Sequence, residues 1–150
     1  MSKQSNLRVF IDNNPPVHYL VVRLLRLLGR ISPCVFCQIV QGKKHGRMLF
    51  QDGQVTAFRD AHPAASTHIL IVPNRHIPSI NDLLPADEPL IGHMLAVAGR
   101  LARQENLLES GYSLTVNTGL DAGQTVFHLH MHLKAYAQLD PSGNGIDYDP

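Results

Sequence analysis

The sequence predicts an α+β fold in which an antiparallel sheet carries one long helix and one short N-terminal helix. Short apolar segments with strand character follow one another, and the first two flank Asp52-Gly53, a hairpin turn signal. Apolar residues recur at helical spacing over one long stretch, Asp87–Asn106. Several strands with a single long helix favour helices segregated on one side of the sheet.

The elements can be assigned in order along the chain. Ser32-Pro33 is a good helix start, with serine as the N-cap, so a short helix is predicted over Cys34–Val40, ending near Gly42. The predicted strands are Met48–Gln51, Val55–Arg59, Thr67–Val72 (ended by Pro73), Tyr112–Asn117 and Phe127–Tyr136. The long helix is defined by Leu90, Ile91, Met94, Leu95, Ala98, Leu101 and Ala102.

Composition is that of one ordered domain: 150 residues, of which 44% are hydrophobic and 17% charged. The net charge of +1 conceals an asymmetry along the chain. Residues 1–51 carry eight Lys/Arg against Asp12 alone, whereas residues 52–150 carry five against eleven Asp/Glu. The folded part is therefore mildly acidic, and no broad basic face for nucleic acid is expected.

The two ends of the chain are predicted to lie outside this domain. Val17–Arg30 reads as an apolar helix, but Arg23, Arg26 and Arg30 interrupt it well short of a membrane span. We interpret residues 1–32 as a poorly ordered extension of a cytoplasmic protein. The alternatives are a transit peptide to mitochondria or another organelle and a membrane-surface helix. Residues 33–138 are then the folded domain, and residues 139–150 a flexible tail.

The most informative segment is His128-Leu-His130-Met-His132-Leu. In a β-strand, successive side chains point to opposite faces, so the three imidazoles would share one face and the apolar residues would pack on a core. Neighbouring imidazoles would lie about 6.6–7 Å apart along the strand, too far for all three to bind one metal ion. Clustered titratable groups of this kind indicate a functional site rather than a solvated strand face.

This segment resembles the signature of the histidine triad (HIT) family of nucleotide hydrolases and transferases. Three further blocks resemble that family in the same order: Phe-Arg-Asp60, Thr-His68-Ile-Leu-Ile-Val-Pro-Asn-Arg-His76-Ile and Val-Asn117-Thr-Gly. The resemblance runs from about Cys34 to about Tyr136. The approach to the triad is similar to that of the Hint branch, the nucleoside phosphoramidate hydrolases. The resemblance implies the HIT fold and a homodimer.

The resemblance also implies catalytic roles. His130 would be the nucleophile that attacks the nucleotide α-phosphorus, and His132 would lie near the leaving group. Gln124, Thr125 and Asn117 would contact phosphate oxygens, although each is also ordinary turn chemistry. His68 would pack behind the triad and support the tautomer of the nucleophile.

At the nucleotide end, the resemblance assigns Asp60 to the ribose, because a carboxylate can accept one hydrogen bond from each of two ribose hydroxyls. Phe36, Ile39 and Phe58 would form an apolar slot around the base, with simple core packing as the alternative. Arg59 stands where the family commonly has histidine, so a more positive base pocket is expected.

Cys34-x-x-Cys37 contains the two cysteines of the chain. Taken alone, this spacing is compatible with a redox-active pair, with a metal-binding pair or with two cysteines that have no joint role. In zinc-binding members of the family, two histidines complete the set, and their counterparts here are His76 and His128. The resemblance therefore implies a structural zinc, which would remove His128 from direct chemistry and orient His130.

The function implied is hydrolysis of purine nucleoside phosphoramidates or acyl-nucleotides through a nucleotidyl-histidine intermediate. The alternatives are a dinucleoside polyphosphate hydrolase of the same fold and a non-catalytic nucleotide-binding scaffold. Thr125 stands where Hint proteins usually have serine, and the C-terminal Trp-Pro-Pro-Gly of that branch is missing. Thr125 keeps the hydroxyl and adds a methyl group. In that branch the C-terminal tail helps shape the leaving-group side, so its absence leaves the substrate preference open.

Overall fold

A computed structural model describes residues 34–136 of the chain. The predicted extension over residues 1–32 with its helix Val17–Arg30, the Ser32-Pro33 helix start and the tail over residues 139–150 lie outside the described residues. Within 34–136, no helix is long and apolar enough to cross a membrane.

The first helix, α1 (Val35–Val40), agrees with the predicted short N-terminal helix. Gly42 adopts the left-handed conformation (φ +68°) that a glycine takes after a helix end, and its N–H donates to the carbonyl of Ile39 at 2.9 Å. Phe36 and Ile39 form the buried side of this helix. Both residues therefore lie between α1 and the sheet.

Five antiparallel strands form one sheet in the order β1-β2-β3-β5-β4. At the predicted hairpin turn, Asp52 Oδ1 accepts hydrogen bonds from the backbone N–H groups of Gln54 and Val55, each at 2.8 Å. This is the Asp-Gly turn that the sequence indicates. The strands are β1 (Met48–Gln51), β2 (Val55–Arg59), β3 (Thr67–Pro73), β4 (Ser113–Thr115) and β5 (Met131–Ala135).

The long helix α2 (Glu88–Gln104) follows two short 3-10 turns, Ile80–Asp82 and Pro85–Asp87. Its apolar stripe faces the core of its own subunit, except for Leu95, which is 48% exposed. The buried members are Met94, Val97, Ala98, Leu101 and Ala102. The prediction of an antiparallel sheet with one long and one short helix is therefore confirmed.

The two helices lie on opposite faces of the sheet, so the prediction that they share one side is wrong. Ile69 and Ile71 of β3 join the cluster formed with α2, whereas Leu70 and Val72 join the cluster formed with α1. The reason is in the sequence of β3, which is apolar at four consecutive positions. Such a strand is apolar on both faces and needs a cover on each.

The strand that carries the triad is shorter than predicted. It begins at Met131 rather than Phe127, because the N–H of Leu129 donates to the carbonyl of Ile77 at 2.6 Å, outside the ladder with β3. The N–H of His128 donates to Val126 at 2.8 Å and closes a bend. Only the third triad histidine therefore lies within β5. The predicted strand Tyr112–Asn117 is likewise reduced to β4.

Candidate active site and metal centre

A cleft of about 1060 Å³ opens between α1, the ends of β2 and β3, and the segment that leads into β5. Of the residues expected to act on a substrate, the cleft brings together the apolar slot, Arg59, the ribose carboxylate, Thr125 and three histidines. These residues are Phe36, Ile39, Phe58, Arg59, Asp60, His68, Thr125, His130 and His132. Phe36, Ile39 and Phe58 also pack against each other in the core cluster beneath α1, so core packing is observed and the base slot stays a prediction.

Two of the triad histidines, His130 and His132, line the cleft, although His130 precedes the strand. Leu129, Met131 and Leu133 are buried in the main core, as the alternation predicts. The ring centroids of His130 and His132 are 4.9 Å apart, closer than the strand spacing of about 6.6–7 Å. The bend before β5 therefore gathers these two imidazoles more tightly than a regular strand would.

His130 has its tautomer fixed by the backbone. Its Nδ1 lies 2.6 Å from the carbonyl oxygen of His128, and because a carbonyl only accepts, Nδ1 carries the proton. Burial lowers the pKa of His130, which keeps the ring neutral near neutral pH. Nε2 therefore carries a lone pair, which is the requirement for a nucleophile.

His132 has the opposite tautomer. The N–H of Ala64 donates to Nδ1 of His68 at 3.1 Å, so the proton of a neutral His68 is on Nε2. That Nε2 donates to Nδ1 of His132 at 2.8 Å, which leaves the proton of His132 on Nε2. Burial, followed by the neighbouring His130 and His68, lowers the pKa of His132 to about 4. A ring nitrogen that carries a proton and a ring nitrogen that carries a lone pair thus belong to adjacent imidazoles.

His68 is hydrogen-bonded to His132 and not to His130, whose tautomer it was expected to support. In the β3–β5 register, Leu70 lies opposite His132, and His68 is two residues from Leu70 on the same face. The diagonal neighbour across the ladder is therefore the third triad histidine. The tautomer of His130 depends on the backbone of residue 128 instead.

Asp60 follows the last residue of β2 at the cleft wall. Its Oδ1 accepts the N–H of His62 at 2.9 Å, and its Oδ2 lies 3.5 Å from Nε2 of His68. The side chain keeps 19% of its surface exposed, so the carboxylate is open to a ligand in the cleft.

Arg59 lines the cleft, but its charge is balanced. Strand alternation directs its side chain away from Phe58 toward α2, where Nη2 donates to both carboxylate oxygens of Glu105 at 2.8 and 2.6 Å. The expected positive contribution of Arg59 is thus offset by a residue that the sequence analysis missed. Lys44 and Arg47, also missed, line the cleft and carry positive charge there. Their run of basic residues was visible in the sequence, whereas Glu105 lies 46 residues from its partner.

Asn117 and Gln124 do not line the cleft. Gln124 is 1% exposed, and its Oε1 accepts from Gly119 while its Nε2 donates to Pro78 and Val126. The Nδ2 of Asn117 donates to the carbonyl of Ala122. Both amides are engaged in shaping the loop that carries Thr125 to the cleft.

Around that loop, Gly123 has a positive φ of 81°, and a Cβ there would lie 3.3 Å from Nδ2 of Asn117. Glycine therefore permits both the turn and the close approach of the asparagine amide.

A separate group of four side chains lies beside the cleft, namely Cys34, Cys37, His76 and His128, with all ligand atoms within 4.8 Å of one another. Nδ1 of His128 lies 3.5 Å from the Sγ atoms of both Cys34 and Cys37. Nδ1 of His76 lies 3.3 Å from Sγ of Cys37 and 3.3 Å from Nδ1 of His128. A tetrahedral zinc with ordinary bond lengths requires about 3.6 Å between S and N and about 3.3 Å between two N atoms. The donor set therefore fits zinc in both chemistry and spacing.

The protonation of this group also suits a metal. Nε2 of the fully buried His128 donates to the carbonyl of Pro73 at 2.8 Å, which leaves Nδ1 as the ligand atom. Burial raises the pKa of the Cys34 thiol, but hydrogen bonds with His128 and His76 outweigh it and lower that pKa to about 5. A thiolate is the form that binds zinc.

The chain shares its sequence with known families over most of its length. A family profile described as "Scavenger mRNA decapping enzyme C-term binding" matches residues 33–144. A purine nucleoside phosphoramidase of Escherichia coli (strain K12) is 44% identical over 107 residues, which cover 71% of this chain and 90% of that protein. Protein HitA of Neisseria gonorrhoeae is 35% identical over 67% of this chain and 92% of its own length.

Solved structures agree with these relatives. A HIT family hydrolase from Legionella pneumophila has a TM-score of 0.69 and 40% identity, covering 75% of this chain and all of that chain. A zinc-bound histidine triad family protein from Mycobacterium smegmatis has a TM-score of 0.62 and 31% identity, covering 77% and 84% of the two chains. From its triad, its fold and these relatives, the chain belongs to the histidine triad family.

Proposed function

We propose that the chain is a nucleotidyl hydrolase of the Hint branch that cleaves purine nucleoside phosphoramidates or acyl-nucleotides through a nucleotidyl-histidine intermediate. The observation that carries the proposal is the opposite tautomers of two adjacent imidazoles. His130 presents a lone pair on Nε2, and His132 presents an N–H on Nε2. The name of the Escherichia coli relative supports the same chemistry.

The reaction proceeds in two displacements. Nε2 of His130 attacks the α-phosphorus, forming a P–N bond to the imidazole as the bond to the leaving group breaks. His132 donates a hydrogen bond from its Nε2–H to the leaving atom, and an amine leaving group takes up one proton from solvent water as it departs. A second water then attacks phosphorus, breaks the bond to His130, returns one proton to solvent and releases the nucleoside monophosphate. Thr125, whose side chain reaches the cleft, contacts the phosphate; Asn117 and Gln124 act by holding its loop.

The nucleotide occupies the rest of the cleft. The base lies in the slot of Phe36, Ile39 and Phe58, and the carboxylate of Asp60 accepts hydrogen bonds from the ribose hydroxyls. Arg59, held by Glu105, forms part of the wall near the ribose. The cleft volume of about 1060 Å³ leaves room beyond one nucleotide for a leaving group.

We infer that Cys34, Cys37, His76 and His128 hold a structural zinc, which places the chain in the zinc-binding subtype. The zinc would supply a rigid anchor rather than chemistry, because all four tetrahedral positions are filled by protein ligands. Residue 128 then has two tasks, since its side chain is a ligand and its carbonyl fixes the tautomer of His130.

One observation favours a second substrate class. Lys44 and Arg47 line the cleft, and two cations would attract a substrate with more than one phosphate, such as a dinucleoside polyphosphate. Specificity constants measured for adenosine phosphoramidates and for diadenosine polyphosphates separate the two. We expect the phosphoramidates to have the higher values. Higher values for the polyphosphates would establish the second class, and turnover of neither would leave a nucleotide-binding scaffold.

A further inference from the structure

Three side chains connect the ribose end of the cleft to the leaving-group histidine. Oδ2 of Asp60 lies 3.5 Å from Nε2 of His68, and the same nitrogen lies 2.8 Å from Nδ1 of His132. The other ring nitrogen of His68 is occupied by the N–H of Ala64. A neutral His68 therefore has one N–H, which donates to Nδ1 of His132, and the carboxylate of Asp60 is a second, more distant acceptor that competes for it.

Both imidazoles are in the neutral form that this competition requires. His68 is 6% exposed, and burial lowers its pKa despite the nearby carboxylate of Asp60. Burial and the neighbouring His130 and His68 lower the pKa of His132 to about 4. Lys134, which lies opposite His68 in the ladder, acts on both rings in the same direction. Each ring thus carries a single proton, and its position depends on hydrogen-bond partners.

We propose that Asp60 is a positioning residue for His132, acting through His68, so that ribose hydroxyls in the cleft set the orientation of the leaving-group donor. The inference rests on the proposed function, in which the carboxylate binds the ribose. Hydroxyl groups that donate to Asp60 take up its lone pairs. The N–H of His68 is then directed wholly at Nδ1 of His132, and the proton of His132 is held on Nε2, facing the cleft.

Without those hydroxyls, the carboxylate competes for the N–H of His68. The hydrogen bond from His68 to Nδ1 of His132 is then shared in time with the carboxylate, and the fraction of molecules with the proton of His132 on Nδ1 increases. The device moves hydrogen bonds only, and no covalent bond forms or breaks. Its consequence is that the ribose hydroxyls accelerate the chemical step in addition to improving binding.

Single-turnover rates at saturating substrate test this consequence. The substrates are an adenosine phosphoramidate and its 2′,3′-dideoxy analogue, and the proteins are the wild type, Asp60→Asn and His68→Gln. In the wild type, we expect the analogue to react on the order of ten-fold more slowly at saturation, part of a full acid–base contribution. In both variants, the two substrates should react at similar maximal rates.

His68→Gln is the sharper variant because it leaves the ribose carboxylate in place. The preference for ribose in KM should survive there, while the preference in maximal rate disappears. A merely structural role for His68 would lower both substrates equally and keep their ratio. An unchanged ratio of maximal rates in His68→Gln would therefore overturn the inference.

A spectroscopic measurement separates this inference from the proposed function. Nitrogen-15 shifts of the His132 ring report which nitrogen carries the proton. Saturating adenosine monophosphate should give a protonated Nε2, whereas the 2′,3′-dideoxy nucleotide should give averaged shifts. Identical shifts with both ligands would refute the coupling while leaving nucleotide binding intact. Failure of adenosine monophosphate to bind the wild type would overturn the proposed function and the inference with it.

Discussion

At the scale of single residues, the site depends on hydrogen bonds that fix protons. The sequence was sufficient to predict which histidines gather, because their alternation with apolar residues buries the intervening side chains. It was insufficient to predict that His68 serves His132, because that contact depends on the register between β3 and β5. The sequence was equally insufficient to predict the ion pair of Glu105 with Arg59, because that pair joins the end of a helix to the end of a strand.

His130→Ala should abolish turnover while leaving binding of adenosine monophosphate largely intact. The change removes the bond-forming atom and keeps the slot, and the rate could fall by several orders of magnitude, as for other nucleophile deletions. His93→Ala is the matched control, because that imidazole bonds Asp52 and does not line the cleft. Substrate trapping should label residue 130 in the wild type. Near-normal activity of His130→Ala, or label on another residue, would exclude the mechanism.

Asp60→Ala should weaken adenosine monophosphate about 10- to 150-fold, corresponding to roughly 1.5–3 kcal/mol for charge-assisted hydrogen bonds. The 2′,3′-dideoxy nucleotide should be weakened far less, because it never made those bonds. Phe58→Ala should weaken both ligands alike, since it removes base contacts. Calorimetric titration of the wild type and the two variants with the two ligands measures all six affinities. Equal losses for the two ligands in Asp60→Ala would show that the carboxylate serves its loop and not the ribose.

The depressed pKa of His132 makes stability depend on pH. Between the unfolded value of 6.5 and the folded value of about 4, the unfolded chain binds more protons than the folded chain. The free energy of unfolding should therefore fall as the pH falls through this window, by about 1.4 kcal/mol for each unit of full pKa difference before solvent screening. His132→Asn should flatten the pH dependence of denaturant midpoints. Since both proteins keep the metal ligands, equal slopes would show that another group is responsible.

At the scale of elements, strands and helices followed the apolar periodicity closely where one pattern was present. β1 and β2 agree with their predicted bounds, and α2 differs by a residue or two at each end. The failures arose where the pattern was compatible with two structures. The triad alternates in polarity like a strand, yet residues 128–131 are all buried and the first half is a bend tied to Ile77. Periodicity reports which side chains are apolar, and it does not report the partner of each backbone N–H.

The group of Cys34, Cys37, His76 and His128 links α1 to the triad and provides a test at this scale. Purified protein should carry about one zinc per chain, bound by two cysteines and two histidines. Cys37→Ser should lower zinc occupancy and melting temperature together, because binding to the folded state adds to the free energy of unfolding. Elemental analysis and thermal melts measure the two quantities. Metal-free protein whose melting is unchanged by a chelator would contradict the assignment.

At the scale of the whole molecule, the sheet has an open edge. β4 pairs with β5 on one side, and among residues 34–136 no strand pairs with its other side. All three residues of β4 are exposed, and Leu114 and the preceding Tyr112 are each 37% exposed. An edge with unpaired backbone groups and exposed apolar side chains is suited to a second strand. By contrast, most of the apolar stripe of α2 packs in the main hydrophobic core and is not available to a partner.

We therefore predict a homodimer that pairs β4 of one protomer with β4 of its partner. Sedimentation equilibrium should give twice the chain mass of 16.6 kDa. Leu114→Lys places a like charge on both copies of the edge and should shift the protein toward the monomer, because edge lysines oppose strand addition. Leu84→Lys is the matched control, since that leucine is 62% exposed and far from β4 in the chain. A monomeric wild type, or equal dimerisation of both variants, would place any interface elsewhere.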